Sequence, residues 1–266
     1  MAINDRLLTV REYIQTHGEV TINDLQPFYA GYSAMTIWRD LKQLEEQGYI
    51  RRVHGGAISM LAATPQVEGV YSKRAREFVH QKNAIAHAAL PFLAPGHSVY
   101  LDAGSTLMAL ANAMGNERYT VVTSGANIAI ELSQRHTCDV FLTGGQISEN
   151  TLSCSGVQAE AFIDSINIDV AFMGASGYSP KSGFTSGSQS ESLLKRRVIE
   201  KSAQVVVLMD RSKLGRSLPF TFATLSDIDV LICDAKLPAD VLSMAQKAKT
   251  RCIFAEDRPY TQAPKG

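Results

Sequence analysis

Three short loops carry the residues best suited to holding an anion. Asp102-Ala103-Gly104-Ser105-Thr106, Thr123-Ser124-Gly125-Ala126-Asn127 and Thr143-Gly144-Gly145-Gln146 each follow a short apolar run. Gly104, Gly144 and Gly145 let backbone approach a ligand closely, and Ser105, Thr106 and Ser124 add hydroxyl donors. Where such a loop opens a helix, the free amides of the first turn favour negative charge. Each loop alone also reads as a tight turn capped by serine or threonine. Three at matching strand ends point to a phosphate or sugar site. Further along, Glu191 and Lys195 stand four apart on a helical stretch, the spacing of a surface ion pair, and Lys213 follows Asp210 in a loop. The functional reading is that Lys195 or Lys213 neutralises a phosphate as a point charge, while Asp102 and Glu191 accept sugar hydroxyls. Asp102 and Asp210 are also the carboxylates available as a general base beside a carbonyl.

A second chemistry lies near the N-terminus, in Gly31 to Gly56. Ser33 suits a helix N-cap. Ile37, Leu41 and Leu44 make one apolar stripe, and Met35, Trp38, Arg39 and Lys42 occupy the opposite face. Gly48 suits the residue past the helix end. A short strand follows, Ile50 to Val53, with Gly55-Gly56 as a hairpin turn. A helix showing a cation and a large aromatic suits a DNA major groove. The hairpin residues Arg51, Arg52 and His54 suit phosphates beside it. The same pattern describes a small helical domain with a solvated polar face.

The elements that must position these residues change in kind along the chain. Leu7, Val10 or Arg11, and Ile14 give a first helix that Gly18 ends. Thr21-Ile22-Asn23-Asp24 has the form of a capping box. Pro27 shortens the second helix. Residues 61–79 form a linker, whose Lys73, Arg74 and Arg76 suit a solvated hinge better than an arm along DNA or a relay of an effector signal. From Phe78 onward, helical stretches alternate with seven β-rich runs: Ser98–Leu101, Thr120–Thr123, Val140–Leu142, Val170–Met173, Val205–Met209, Val230–Cys233 and Cys252–Ala255. The alternation predicts an α/β domain over residues 80–266, with a mainly parallel sheet covered on both faces. The first helix of that domain is expected over Gln81–Phe92. In such a sheet the ligand crevice lies beyond the carboxyl ends of the strands.

Composition bounds the function. The 266 residues are 45% hydrophobic and carry no formal net charge, so no global basic field announces nucleic acid. Residues 1–60 hold six Lys/Arg against seven Asp/Glu, which leaves DNA binding resting on geometry. The four cysteines lack paired ligand spacing, the histidines are scattered, and no apolar run approaches a membrane span. The expectations are a cytoplasmic protein with reduced thiols and no metal, cofactor or membrane partner.

Ser33-x-x-Thr36-Ile37-x-Arg39-Asp40-Leu41-x-x-Leu44-Glu45-x-x-Gly48, followed by Arg52-x-His54-Gly55-Gly56-Ala57, resembles the DeoR family of bacterial transcriptional regulators. Asp102-x-Gly104-Ser105-Thr106, Gly144-Gly145, Glu191-x-x-x-Lys195-Arg196 and Asp210-x-Ser212-Lys213-x-Gly215 extend the resemblance over nearly the whole chain. It implies a winged helix-turn-helix over residues 1–60 that grips a double-stranded operator through Ser33, Met35, Thr36, Trp38, Arg39, Lys42, Arg51, Arg52 and His54. It implies a second domain similar in fold to ribose-5-phosphate isomerase and glucosamine-6-phosphate deaminase. That domain would hold a phosphorylated sugar through Asp102, Gly104, Ser105, Thr106, Ser124, Gly144, Gly145, Glu191, Lys195 and Lys213. Three positions depart from the family pattern: Trp38 replaces the first of two arginines, Ser124 a common asparagine, and Ser176 a common aspartate. The expected function is a homodimeric or homotetrameric repressor of a carbohydrate catabolic operon. The alternative is a phosphosugar isomerase or deaminase with an added N-terminal domain, which Ser176 argues against.

Overall fold

The computed structural model describes residues 3–17, 19–47, 49–59, 70–135 and 137–255. Gly18, Gly48 and residues 61–69 of the expected linker lie outside the described residues. The chain parts into two compact units, Met1–Val67 and Glu68–Gly266.

The first unit runs α1 (Ile3–His17), β1 (Glu19–Thr21), α2 (Ile22–Leu25), a 3-10 turn (Gln26–Tyr29), α3 (Ala34–Glu46), β2 (Ile50–Val53) and β3 (Gly56–Ser59). Thr21 and Asp24 form the expected capping box. α2 stops after four residues, and Pro27 falls in the tighter turn that replaces its continuation, since proline offers no amide to an α-helical ladder. Strands pair antiparallel in the order β1-β3-β2. The hairpin turn is His54-Gly55, one residue earlier than expected, because Val53 pairs with Gly56. Gly56 is needed for close approach: a Cβ there would come within 2.0 Å of the Val20 carbonyl on β1. Val10, Ile14, Leu25, Ile37, Leu41, Leu44 and Ile50 pack into one core. Arg11 instead lays its guanidinium over the Tyr49 ring at 4.6 Å.

The second unit begins with α4 (Tyr71–Arg76), inside the stretch expected to be a linker, and α5 (Val79–Ala89). Pro91 ends the expected helix early, in a 3-10 turn over Leu90–Phe92. Then come β4 (Ser98–Leu101), α6 (Ser105–Ala113), β5 (Tyr119–Thr123), α7 (Ala126–Ser133) and β6 (Cys138–Leu142). The chain continues through β7 (Gln146–Ile147), β8 (Cys154–Ser155), α8 (Val157–Asp164) and β9 (Ile168–Gly174). After β10 (Gly177–Ser179) and β11 (Gly183–Ser186) follow α9 (Gln189–Lys201), β12 (Ser202–Met209), β13 (Phe220–Ala223), β14 (Val230–Cys233), α10 (Ala239–Ala248) and β15 (Arg251–Phe254).

Seven strands form one parallel sheet, ordered β15-β14-β12-β9-β4-β5-β6. Successive residues of its central strands enter opposite cores. Val99, Leu101, Phe172, Val206 and Leu208 meet α5, α6 and α7 through Ile85, Leu110 and Ile128. Tyr100, Met173, Val207 and Leu231 meet α8, α9 and α10 through Ile163, Leu194 and Val241. Burial on both faces is why these strands read as continuous apolar runs. A small antiparallel sheet, β10-β11-β13, stands apart. Its strands are short and rich in glycine, serine and threonine, and carry too little alternation to signal themselves.

Candidate functional site

In the first unit, α3 presents the face the sequence assigned to DNA. Ile37, Leu41 and Leu44 are buried, whereas Met35, Arg39 and Lys42 are 78%, 70% and 62% exposed. Ser33, Arg51, Arg52 and His54 are also exposed and Thr36 is half-buried. Three details differ from expectation. Ser33 sits in the extended N-cap conformation, but its hydroxyl meets that of Thr36 at 3.4 Å instead of accepting from a first-turn amide. Trp38 is half-buried and packs against the core, so its ring supports the helix from the side. The Arg52 guanidinium donates to Glu45 at 2.6 Å, and the Arg52 amide does so at 2.7 Å, tying β2 to α3. Those bonds hold the Glu45 carboxyl below its usual range.

α3 is anchored from behind by a buried charge pair that sequence reasoning missed. Arg6 donates from Nε and Nη2 to Asp40 Oδ2, at 2.9 and 2.7 Å, and Tyr29 Oη donates to the same oxygen at 3.1 Å. The Arg6 guanidinium lies against the rings of Tyr29 and Tyr32. Burial, reinforced by Asp40, pushes the Tyr29 phenol well above its ordinary range. The only sequence signal was Asp40 itself, a carboxylate on the apolar side of an amphipathic helix.

In the second unit the chain leaves β4 toward β5 and β6, then returns to β9 on the other side of β4. That reversal makes the crevice where a doubly wound sheet binds ligands. A cleft does open there, lined by Asp102, Gly104, Ser105, Thr106, Glu191, Lys195 and Lys213. It also takes in Asp210, expected only as an available general base, Ser176, noted only as a departure from the family pattern, and Arg74, Ser153, Gly174 and Ala175, which were not among the expected site residues. Three expected residues do not line it. Ser124 lies behind it, fully buried, accepting from the Ala103 amide at 3.1 Å and donating to Asp102 at 3.4 Å. Gly144 and Gly145 follow β6, two strands away from β4, and Gly145 packs beneath the Ser155 carbonyl.

The floor of the cleft is α6. Gly104 holds φ +143°, a conformation open to glycine, and leads into the helix as its N-cap. The first amide bonded within the helix is that of Met108, so the first turn offers free donors to an anion. Gly104→Val should lower stability by about 1–3 kcal/mol through backbone strain and distort this turn. Thermal melts should show it directly, and a variant melting with the wild type would refute the strained-turn assignment.

The carboxylates are engaged. Asp102, 2% exposed, receives the Lys195 ammonium and the Gly174 amide, the latter at 2.9 Å. Lys195 also donates to the Gly174 carbonyl at 3.0 Å and lies over the Phe222 ring. Glu191 does not pair with Lys195 across the helix turn: it accepts from Thr151 and Ser186. Asp210 accepts from the Ser212 amide and hydroxyl. Asp102, buried and bonded to an ammonium and an amide, is poorly placed to take a proton from carbon.

Among the described residues, no helix is long and apolar enough to cross a membrane, and no group of three or more His, Cys, Asp or Glu could hold a metal.

Comparison with known proteins bears on the family of the two units. The chain is 38% identical over 213 residues to the HTH-type transcriptional regulator GlpR of Haloferax volcanii, covering 80% of this chain and 82% of the relative. It is 31% identical over 252 residues to a putative aga operon transcriptional repressor of Escherichia coli O157:H7, covering 94% and 93%. It is 32% identical over 234 residues to the HTH-type transcriptional repressor GlcR of Bacillus subtilis, covering 88% and 89%. Ribose 5-phosphate isomerase A from Neisseria gonorrhoeae shares about half of each chain at 18% identity and a TM-score of 0.38, a likeness too remote to speak to activity. Residues 6–62 match the DeoR-like helix-turn-helix domain and residues 77–235 the DeoR C terminal sensor domain, and the chain belongs to the DeoR family of transcriptional regulators, not to the enzymes.

Proposed function

We propose that this regulator is a repressor of a carbohydrate catabolic operon, released from its operator by a phosphorylated sugar. In this reading residues 1–60 read the duplex, and the unit that contains α4 and everything after it senses the metabolite. The observation that carries the effector reading is the cleft at the β4–β9 reversal. There the open first turn of α6 and the Lys213 ammonium line one cleft, which suits an anion. The exposed Arg39 and Lys42 on α3, with Arg51 and His54 on the hairpin, form the reading surface. Self-association into a dimer or tetramer supplies the second reading head, because one such head specifies few base pairs. Two of the relatives are themselves named as repressors.

Two variants test the division of labour against an operator selected from random duplexes. Arg39→Ala should weaken operator binding by about 1–3 kcal/mol per head and leave the sugar-phosphate thermal shift intact. Lys213→Ala should bind the operator normally but need about tenfold more sugar phosphate for release, the loss of one charge-assisted contact. Unchanged operator affinity in Arg39→Ala at matched salt would remove α3 from the groove. Normal release of Lys213→Ala would remove the cleft from the sensing role.

A further inference from the structure

The basic stretch that reads as a solvated hinge does not behave as one. α4 is only six residues long, yet it is held at both ends. At its start the Tyr71 amide donates to the Asn150 carbonyl at 2.7 Å, and the Tyr71 ring is half-buried. At its end the Lys82 ammonium, 5% exposed, donates to the carbonyls of Arg74 and Glu77. Between these anchors α4 packs on α6, the helix that floors the cleft, and Arg74 enters the cleft wall. Among the described residues, α4 is also the first element after β3, so it is the part of the second unit nearest in sequence to the reading head.

We propose that Arg74 is a ligand for the anionic group of the effector, and that α4 is the element through which occupancy of the cleft reaches the DNA-binding unit. The proposal rests on the effector reading above and adds a residue and a route to it. Burial opposes the charge of Lys82, Asp210 favours it, and Lys213 and Arg74 act on it as like charges, so Lys213 and Arg74 both act at the end of α4. An anion bridging Arg74 and Lys213 in the cleft they both line clamps α4 to α6. Arginine suits the task, because its planar fork can grip two phosphate oxygens at once. An effector shifts an equilibrium only by its unequal affinity for the two states. A contact made through α4 supplies that inequality at the end of the unit joined to the head.

The test uses the full chain and four probes: inorganic phosphate, glycerol 3-phosphate, glucose 6-phosphate and fructose 1-phosphate. Thermal shift identifies a binder, and hydrogen exchange then follows the amides of residues 71–76 with and without it. In the wild type, saturation should slow that exchange about tenfold. Arg74→Gln should bind about tenfold more weakly and show no slowing at saturation, while Arg74→Lys should recover part of both. Melting of the unliganded Arg74→Gln near the wild type would show that Lys82 still holds the α4 carbonyls. Unchanged exchange at 71–76 in saturated wild type, or wild-type affinity in Arg74→Gln, overturns the proposal and leaves the effector reading standing. Absence of binding by all four probes overturns both.

Discussion

Lys195→Met should destabilise the sensor unit by about 3–5 kcal/mol, the cost of leaving one partner of a buried ion pair alone. Asp102 and Lys195 are 2% and 7% exposed, and among the described residues the ammonium is the one formal charge bonded to the carboxylate. The Gly174 amide and Ser124 hydroxyl would still serve Asp102, which favours the lower end of the range. Urea titration monitored on the sensor unit gives the midpoint. The double variant Asp102→Asn/Lys195→Met should recover most of the loss, because no buried charge is then unpaired. A single variant within 1 kcal/mol of wild type would mean that water reaches the pair. The same geometry assigns Lys195 a structural share of the site. Its charge is spent on Asp102, so its loss should cost more in stability than in effector affinity.

Arg6→Met should have an effect of similar size, about 3–5 kcal/mol, on a much smaller unit. Domains of that size have few kcal/mol in reserve, so the N-terminal unit should lose its cooperative melt altogether. Asp40 would remain buried beside Tyr29 with only the exposed Arg39 guanidinium, 3.9 Å away, as a cation, and the stacking of Arg6 on Tyr29 and Tyr32 would be lost. Operator binding should disappear while the sensor unit keeps its sugar-phosphate thermal shift. The contrast with Arg39→Ala is diagnostic, since that variant should lose DNA without losing the melt. If Arg6→Met still bound the operator, the pair would not be what sets α3 in place.

Some of this was legible from the residues alone. The stripe Ile37, Leu41 and Leu44 and the seven apolar runs announce themselves through periodicity, because burial of one helix face or both sheet faces leaves a mark in sequence. Strand order leaves none. Reading every loop after a strand as part of one site therefore drew in Gly144 and Gly145, although their strand lies at the sheet edge. The same rule, applied to the end of β9, would have added Gly174 and Ala175 to Ser176 and Asp210, which the residues had already brought forward. Pairings distant in sequence were equally silent. Lys195 finds Asp102 from 93 residues away, and Arg6 finds Asp40 from 34, so neither could emerge from local spacing. Glu191 and Lys195 illustrate the converse: four-residue spacing suggested a mutual pair, and tertiary packing gave each a separate partner. Nothing local revealed that Arg74 folds back toward the cleft.

The two units close at very different points of the chain. Every described strand of the head is made once Ser59 is added, whereas the parallel sheet waits for Arg251–Phe254, the last of its described strands, to dock. On the ribosome the two therefore mature on separate clocks, the head from nearby contacts and the body from remote ones. A message cut short in its middle would yield a finished helix-turn-helix head without its sensor domain.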